Sequence, residues 1–410
     1  MKTARTIAAA ALVAVLLGYA GAASAQDVLD DIDRKLTYAS NDGAWVVDLS
    51  LMSDVTFYAQ DAPAQGLLFS DNDGYVAPRV AAFLDLGYDE WLVVHAQAAA
   101  DRGFDPGETS HGDVRLDELF VEAHFTDAGR LSLRVGKFAS AFGGWITRHL
   151  AWDNPMITAP LIYEDVLPMT DRTAPLNTPA FASRRNTIDK QRDWVPIVWG
   201  PSYTSGASLS AGTDTLDVTV EVKNAVLSSR PETWDVFAGG YETDTSTTGR
   251  VRWHPAEAWW FGASASRGPY LQDDAKPTLP AGKRIDDYDQ TTFGIDASYE
   301  HRRLQIWSEL VHAKFDTPVV GEVEGLSGFV EARYKANAQV WLGARWNQSW
   351  FDDAPAADVS WNRDMRRLDL ALGYRHTSHL EVKAQYSLSN QAGREIDGEH
   401  LLAAQFVLWL

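Results

Sequence analysis

The last ten residues, Leu401 to Leu410, alternate. Leu402, Ala404, Phe406, Leu408 and Leu410 fall on one strand face, while Ala403, Gln405, Val407 and Trp409 fall on the other. The same period of two recurs upstream. Leu368, Leu370, Leu372 and Tyr374 alternate with Arg367, Asp369, Gly373 and Arg375, and Leu380, Val382, Ala384, Tyr386 and Leu388 alternate with Glu381, Lys383, Gln385 and Ser387. Runs of about ten to fifteen residues exceed the ~5–6 residue strands of soluble sheets and suit strands that cross a bilayer at a tilt. Such strands must close on themselves, because an open edge in lipid leaves N–H and C=O groups without partners. The pattern predicts an all-β fold, a transmembrane antiparallel β-barrel with its apolar set facing lipid.

Connections between these segments are alternately very short and long. The short ones lie near residues 88–91, 126–130, 212–215, 254–258, 301–303, 335–338 and 375–379; the long ones lie near 60–74, 103–113, 139–202, 227–232, 268–288, 316–324, 352–364 and 391–398. Seven turns and eight loops require about 16 strands with both chain ends in the periplasm, within a range of 14 to 18. The least regular stretches are Thr233–Pro255, which reads as one strand or two, and Gly200–Gly212. A soluble sandwich would alternate in the same way with its apolar set inward. Strand length, aromatic strand ends and an apolar last segment favour the barrel.

The N-terminus carries Lys2 and Arg5, an apolar run from Ile7 to Leu17 and the small residues Ala23-Ser24-Ala25 before Gln26. This pattern predicts a cleaved signal peptide over residues 1–25, a periplasmic lead-in over 26–43 and a barrel over 44–410. No later stretch approaches the ~18–20 apolar residues of a membrane-spanning helix. Aromatic residues make up 11% of the chain, 16 of them Trp, and interfacial girdles are their natural place. The chain has no Cys, which excludes disulfides and thiolate metal sites. Its net charge of −20, or −22 once Lys2 and Arg5 are removed, argues against nucleic acid as a partner. Outward acidic loops meet divalent cations and lipopolysaccharide, so the net charge does not define the pore lining.

The connection over 139–202 is several times longer than an ordinary loop. It contains Trp145, Trp152, Tyr163, Phe181, Trp194 and Trp199, and it is expected to fold into the polar barrel interior as a constriction loop. The strand that leads into it, Leu133-Arg134-Val135-Gly136-Lys137-Phe138, followed by Ala141-Phe142-Gly143, resembles the Gly-Lys-Phe then Phe-Gly motif of phosphate-selective and related bacterial porins. The long connection after strand five likewise resembles the constriction loop of sixteen-stranded porins. Ala141 stands where those porins usually have Pro, and their runs of lumen-facing Lys are missing here. The resemblance implies an outer-membrane porin for passive diffusion of small hydrophilic solutes, assembled as a homotrimer.

Residues 172–192 contain Arg172, Arg184, Arg185, Lys190 and Arg192 against only Asp189. A basic constriction would draw in anions, because a permeating ion is only partly hydrated there. The expected selectivity set is Arg134, Lys137, Arg148, Arg172, Arg184, Arg185, Lys190, Arg192 and Arg345, with Lys137 at the rim, its stem snorkelling past the aromatic belt. By parity Arg134, Arg333, Arg345, Arg367, Arg375 and Lys383 face the lumen, as do acids including Asp54, Glu122, Asp296 and Glu309. A competing role for these arginines is to brace the wall by pairing with Glu164, Asp165, Glu331, Asp369 and Glu381. The loop aromatics divide in the same way, between a sugar slide and anchors.

No nucleophile-elbow, zinc-protease, Walker or dinucleotide fingerprint occurs in the mature sequence, so no enzyme activity, cofactor or metal is expected. Asp71-Asn72-Asp73-Gly74 lacks the remaining ligands of a calcium loop and reads as a turn. His95, His124 and His149 suit a polar wall. Alternatives to the porin are a plugged barrel with a structural or adhesion role and a barrel-embedded hydrolase.

Overall fold

Period-two alternation becomes sixteen strands in one closed antiparallel sheet. The computed structural model describes residues 22–61, 66–68, 70, 72–103, 112–126, 130–231, 245–355, 359–393 and 398–410, with the backbone alone at 22–25 and 188–190. The barrel strands are β1 (Trp45–Gln60), β2 (Gly74–Tyr88), β3 (Leu92–Asp101), β4 (Asp113–His124), β5 (Leu131–Phe138), β6 (Thr204–Gly212), β7 (Leu216–Lys223) and β8 (Ser246–Ala256). They continue as β9 (Trp259–Pro269), β10 (Asp289–His301), β11 (Leu304–Thr317), β12 (Gly321–Lys335), β13 (Val340–Phe351), β14 (Met365–Arg375), β15 (Leu380–Gln391) and β16 (Glu399–Trp409).

Each strand pairs with its neighbours in sequence. The last closes on the first, with Leu401 opposite Gln60 and Trp409 opposite Met52. Leu51 and Leu410 complete the seam by exchanging both backbone bonds at 2.9 Å. Closure is what lets the sheet sit in lipid, where every unpaired backbone group costs several kcal/mol. Val76, Val80, Leu342, Trp346, Leu370 and Leu372 point outward and are exposed, whereas Asp54, Thr292, Asn347 and Asp369 point inward and are buried. At the strand ends joined by the short turns the outward rings form a girdle: Trp45 lies 4.5 Å from Tyr88, and Trp259 lies 4.7 Å from Tyr299.

Some local features depart from simple alternation. A bulge between Gln97 and Ala98 shifts the register against β4, so that Arg115 and Asp117 are buried in the interior, on the same side as the partly buried Glu118. Parity counted from Glu118 alone puts them on the lipid face. The connection expected over 316–324 is only the three residues between β11 and β12, with Val319 at φ 67°. In the irregular stretch 233–255, β8 begins at Ser246, and residues 232–244 lie outside the described residues. Ahead of the barrel, a helix α1 (Ala22–Leu36) is followed by Thr37–Ala39, which pairs with Val46–Asp48 of β1. His379 bridges α1 to the β14–β15 turn: its Nε2 lies 2.8 Å from the Asp30 carboxylate, and its Nδ1 lies 3.0 Å from the Trp409 carbonyl.

Candidate functional site

Peptide groups carried deep inside a barrel need partners, and here the wall side chains supply them. After β5 the chain enters the lumen, crosses to β10–β15 and returns to β6. Glu309 on β11 accepts the Gly144 and Trp145 amides at 3.2 and 3.3 Å. Gln385 on β15 accepts the Ile157 amide at 2.6 Å and donates to Thr158 Oγ1 at 2.8 Å. Asn347 on β13 accepts the Leu161 amide at 3.2 Å, and Gln290 on β10 donates to the Ile197 carbonyl at 2.8 Å. Lys383 donates to the carbonyls of Ala151 and Asn154.

Guanidinium groups complete the fastening. Arg345 is 1% exposed; it pairs with Asp369 at 2.8 Å and Glu331 at 3.2 Å while donating to the Thr158 and Ala159 carbonyls. Arg367 bridges Asp369 to Glu164 of the loop. Because all donors of these forks find acceptors, the desolvation penalty of burying them is offset. Apolar contacts add to this. Phe142, Trp145, Ile162, Tyr163, Phe181 and Trp199 pack with Val311, Phe315, Phe329 and Trp361 into one buried cluster. Full burial of each large apolar side chain contributes roughly 1.5–3 kcal/mol. Trp145 and Tyr163 are thus anchors within this cluster, and Trp152 rests against Phe83 of β2 at 5.2 Å.

Two cavities flank the crossing segment. The larger, about 700 Å³, reaches the short-turn residues Glu257 and Arg302 and is lined by Arg148, Arg250, Arg252, Trp260, Asp296 and Glu300. The smaller, about 230 Å³, reaches Leu68 and Gly103 near the strand ends joined by the long connections and is lined by Arg79, Asp101, Arg115, His149 and Tyr203. Trp145 lines both. Most charges on these walls are paired: Arg79 with Asp54 at 2.7 Å, Arg250 with Asp296 at 2.7 Å, and Arg115 with Asp101 and Asp117. His149 is held between the Ile146 carbonyl and the Tyr203 hydroxyl. Burial pushes its imidazole pKa down.

The nine residues expected to set selectivity occupy different places. Arg134 pairs with Glu122 at 2.7 Å and lies over the Phe120 ring. Lys137 departs from the expected rim position. It is 1% exposed and within electrostatic reach of Asp117, because Gly136, at φ +140°, breaks the alternation and lets Lys137 and Phe138 both bury. A Cβ at Gly136 would sit 2.2 Å from the Leu119 carbonyl oxygen. Arg148 lines the larger cavity, pairs with Glu331 at 2.5 Å and covers Trp307. Arg345 is enclosed and presents no surface to a solute. Arg172 and Arg192 are exposed, and Arg184 and Arg185 are half-buried, with Arg185 against Ser360 of the connection between β13 and β14. The Lys190 side chain lies outside the described residues. Alternation found the charged wall residues. The neutral amides Gln290, Asn347 and Gln385 gave only the weaker signal of inward parity on strands facing the loop.

No protein-family model matches the chain, and no curated protein matches it. Solved structures do. It resembles a loop L8 deletion mutant of OmpT, an outer membrane protein of Vibrio cholerae, with a TM-score of 0.56 at 11% identity, over 90% of this chain and 100% of that one. Salmonella typhi OmpF in complex with daunomycin gives 0.55 at 10% identity, over 91% and 100%. An anion-selective porin from Comamonas acidovorans gives 0.54 at 9% identity, over 89% and 100%. At these identities the likeness is one of fold, a closed antiparallel β-barrel like those of outer-membrane proteins.

Proposed function

We propose that this barrel is an outer-membrane porin through which small hydrophilic solutes diffuse down their gradients, with the 139–202 loop as its size filter and a preference for anions. The observation that carries this reading is the pair of cavities, one reaching each end of the barrel, with Trp145 lining both. Their charged and polar walls suit hydrated solutes, and no catalytic role is assigned to the histidines. The anion preference rests on Arg184 and Arg185 toward the outer mouth, on Lys190 of the same basic stretch, and on Arg148 in the larger cavity. Export by a cleaved signal peptide, lipopolysaccharide around the rim and a homotrimeric assembly belong to the same reading.

A second reading, a plugged barrel with a structural role, draws on the loop's contacts with the opposite wall, where Leu150 and Trp152 pack near Met52, Ala81 and Phe83. Planar-bilayer recording decides between them. Stepwise ohmic current is expected from the porin; a sealed membrane at every voltage would rule out diffusion. Conductance should rise by about twofold or more in Trp145→Ala if the passage narrows at that ring.

A further inference from the structure

Three extracellular connections converge on two guanidinium groups that have no carboxylate partner among the described residues. Arg185, in the long loop, donates through Nη1 to the Ser360 carbonyl at 2.5 Å, and its Nε is closed off without a partner. Arg363 donates to the Ala392 carbonyl at 3.0 Å and to Asn186 Oδ1 at 2.7 Å. Asn186 follows Arg185 directly, so this second bond brings Arg363 close to Arg185, whose positive charge acts on it. Every acceptor is neutral. Among the described residues neither arginine belongs to an ion pair, unlike Arg79, Arg115, Arg250, Arg345 and Arg367 in the lumen. The platform is firm: Trp361, beside Ser360, is 1% exposed and packs between Phe181 and Phe351.

Like charges held together by neutral acceptors are relieved by a counter-anion, and guanidinium forks match the oxygen geometry of phosphate. We propose that Arg185 and Arg363, with Asn186, form a binding site for a phosphate-type oxyanion that ties together the connections after β5, β13 and β15. Gly393 is part of the arrangement: it lies at φ +73°, and an added Cβ would come within 2.8 Å of Arg363 Nη1. The oxyanion is either a free phosphate group or a phosphate of lipopolysaccharide in the outer leaflet. The site rests on these connections facing outward, and it does not require solute passage.

The test is thermal unfolding of lipid-depleted, detergent-solubilised protein, followed by tryptophan fluorescence. Inorganic phosphate is titrated against chloride at constant ionic strength, and in a second arm the protein is placed in vesicles bearing phosphorylated or dephosphorylated lipopolysaccharide. A saturable rise in melting temperature with phosphate supports a free-anion source; a rise only with phosphorylated lipopolysaccharide supports the lipid source. In either case Arg185→Gln and Arg363→Gln should weaken the effect about tenfold or more, while Arg185→Lys should retain part of it. Equal shifts with phosphate and chloride together with no lipopolysaccharide effect, or a double Gln variant that still responds as the wild type does, would overturn the site. Because binding is read without current, its failure is separable from failure of the diffusion reading.

Discussion

Tyr163 donates its hydroxyl proton to Glu309 at 2.5 Å, and the other oxygen of that carboxylate accepts the Gly144 and Trp145 amides, so one wall residue holds both the outgoing and returning parts of the crossing loop. Gly143 makes the approach possible: it lies at φ +75°, and a Cβ there would stand 2.2 Å from both Glu309 Oε1 and the Tyr163 hydroxyl.

Glu309→Ala removes these bonds together. Hydrogen bonds to a charged group contribute ~1.5–3 kcal/mol each, so losing all three should weaken docking of the loop by on the order of 5–9 kcal/mol. The expected outcome is noisy, enlarged single-channel conductance and faster protease cleavage within residues 139–202. Gly143→Ala should reproduce it through steric collision. Wild-type conductance and cleavage rates in both variants would mean that the loop is held elsewhere.

Arg345 and Arg172 should behave as opposites. Arg345→Ala leaves Glu331 and Asp369 buried without their shared partner, a change that costs about 3–5 kcal/mol in comparable buried pairs. Arg172 is exposed, and its replacement by Ala should stay within about 0.5 kcal/mol. Equilibrium unfolding in lipid vesicles measures both, and a near-neutral Arg345→Ala would contradict the bracing role.

The barrel was legible because lipid on one side and water on the other impose alternation on every strand, as at Leu368 to Arg375. Closure followed from the same physics. The bulge that turns Arg115 and Asp117 inward was not legible, since one inserted residue inverts parity without any marker in composition. Positive charge along 172–192 was also visible, but its division was not. Whether an arginine braces the wall, as Arg345 does, or stays without an acid among the described residues, as Arg185 does, depends on whether a carboxylate such as Glu331 or Asp369 faces it from a neighbouring strand, which strand register decides. Gly136 was visible as a glycine beside Lys137, and only its backbone conformation explains why that lysine buries.

Asp165 gives a pH dependence with a definite sign. Burial raises its carboxyl pKa from 3.8 to about 7, against the opposing influence of Arg367 and reinforced by Glu164. With the folded pKa above the unfolded one, the folded state holds the extra proton between about pH 4 and 7. This contribution to stability is complete below the unfolded pKa and is lost as pH rises through about 7. Melting temperature should therefore fall from pH 5.5 to 8.5 by less in Asp165→Asn than in the wild type. Parallel pH profiles would remove Asp165 as the cause.

Neutralising Arg184, Arg185 and Lys190 together should shift the reversal potential in a salt gradient toward cations. Arg184 and Arg185 stand near the wide outer mouth, where they act at a distance through water, and mobile ions screen such fields beyond ~10 Å at 0.1 M and ~3 Å at 1 M salt. The triple variant's effect should therefore be large in dilute salt and nearly vanish at 1 M. Arg148 lines the larger cavity and is mostly enclosed beside Trp307, so a passing ion meets it at close range. Arg148→Gln should shift selectivity in the same direction with much weaker salt dependence. If the reversal potential does not move in the triple variant at low salt, the mouth arginines do not act on permeating ions, and any anion preference has to arise at Arg148 and its neighbours on the cavity wall.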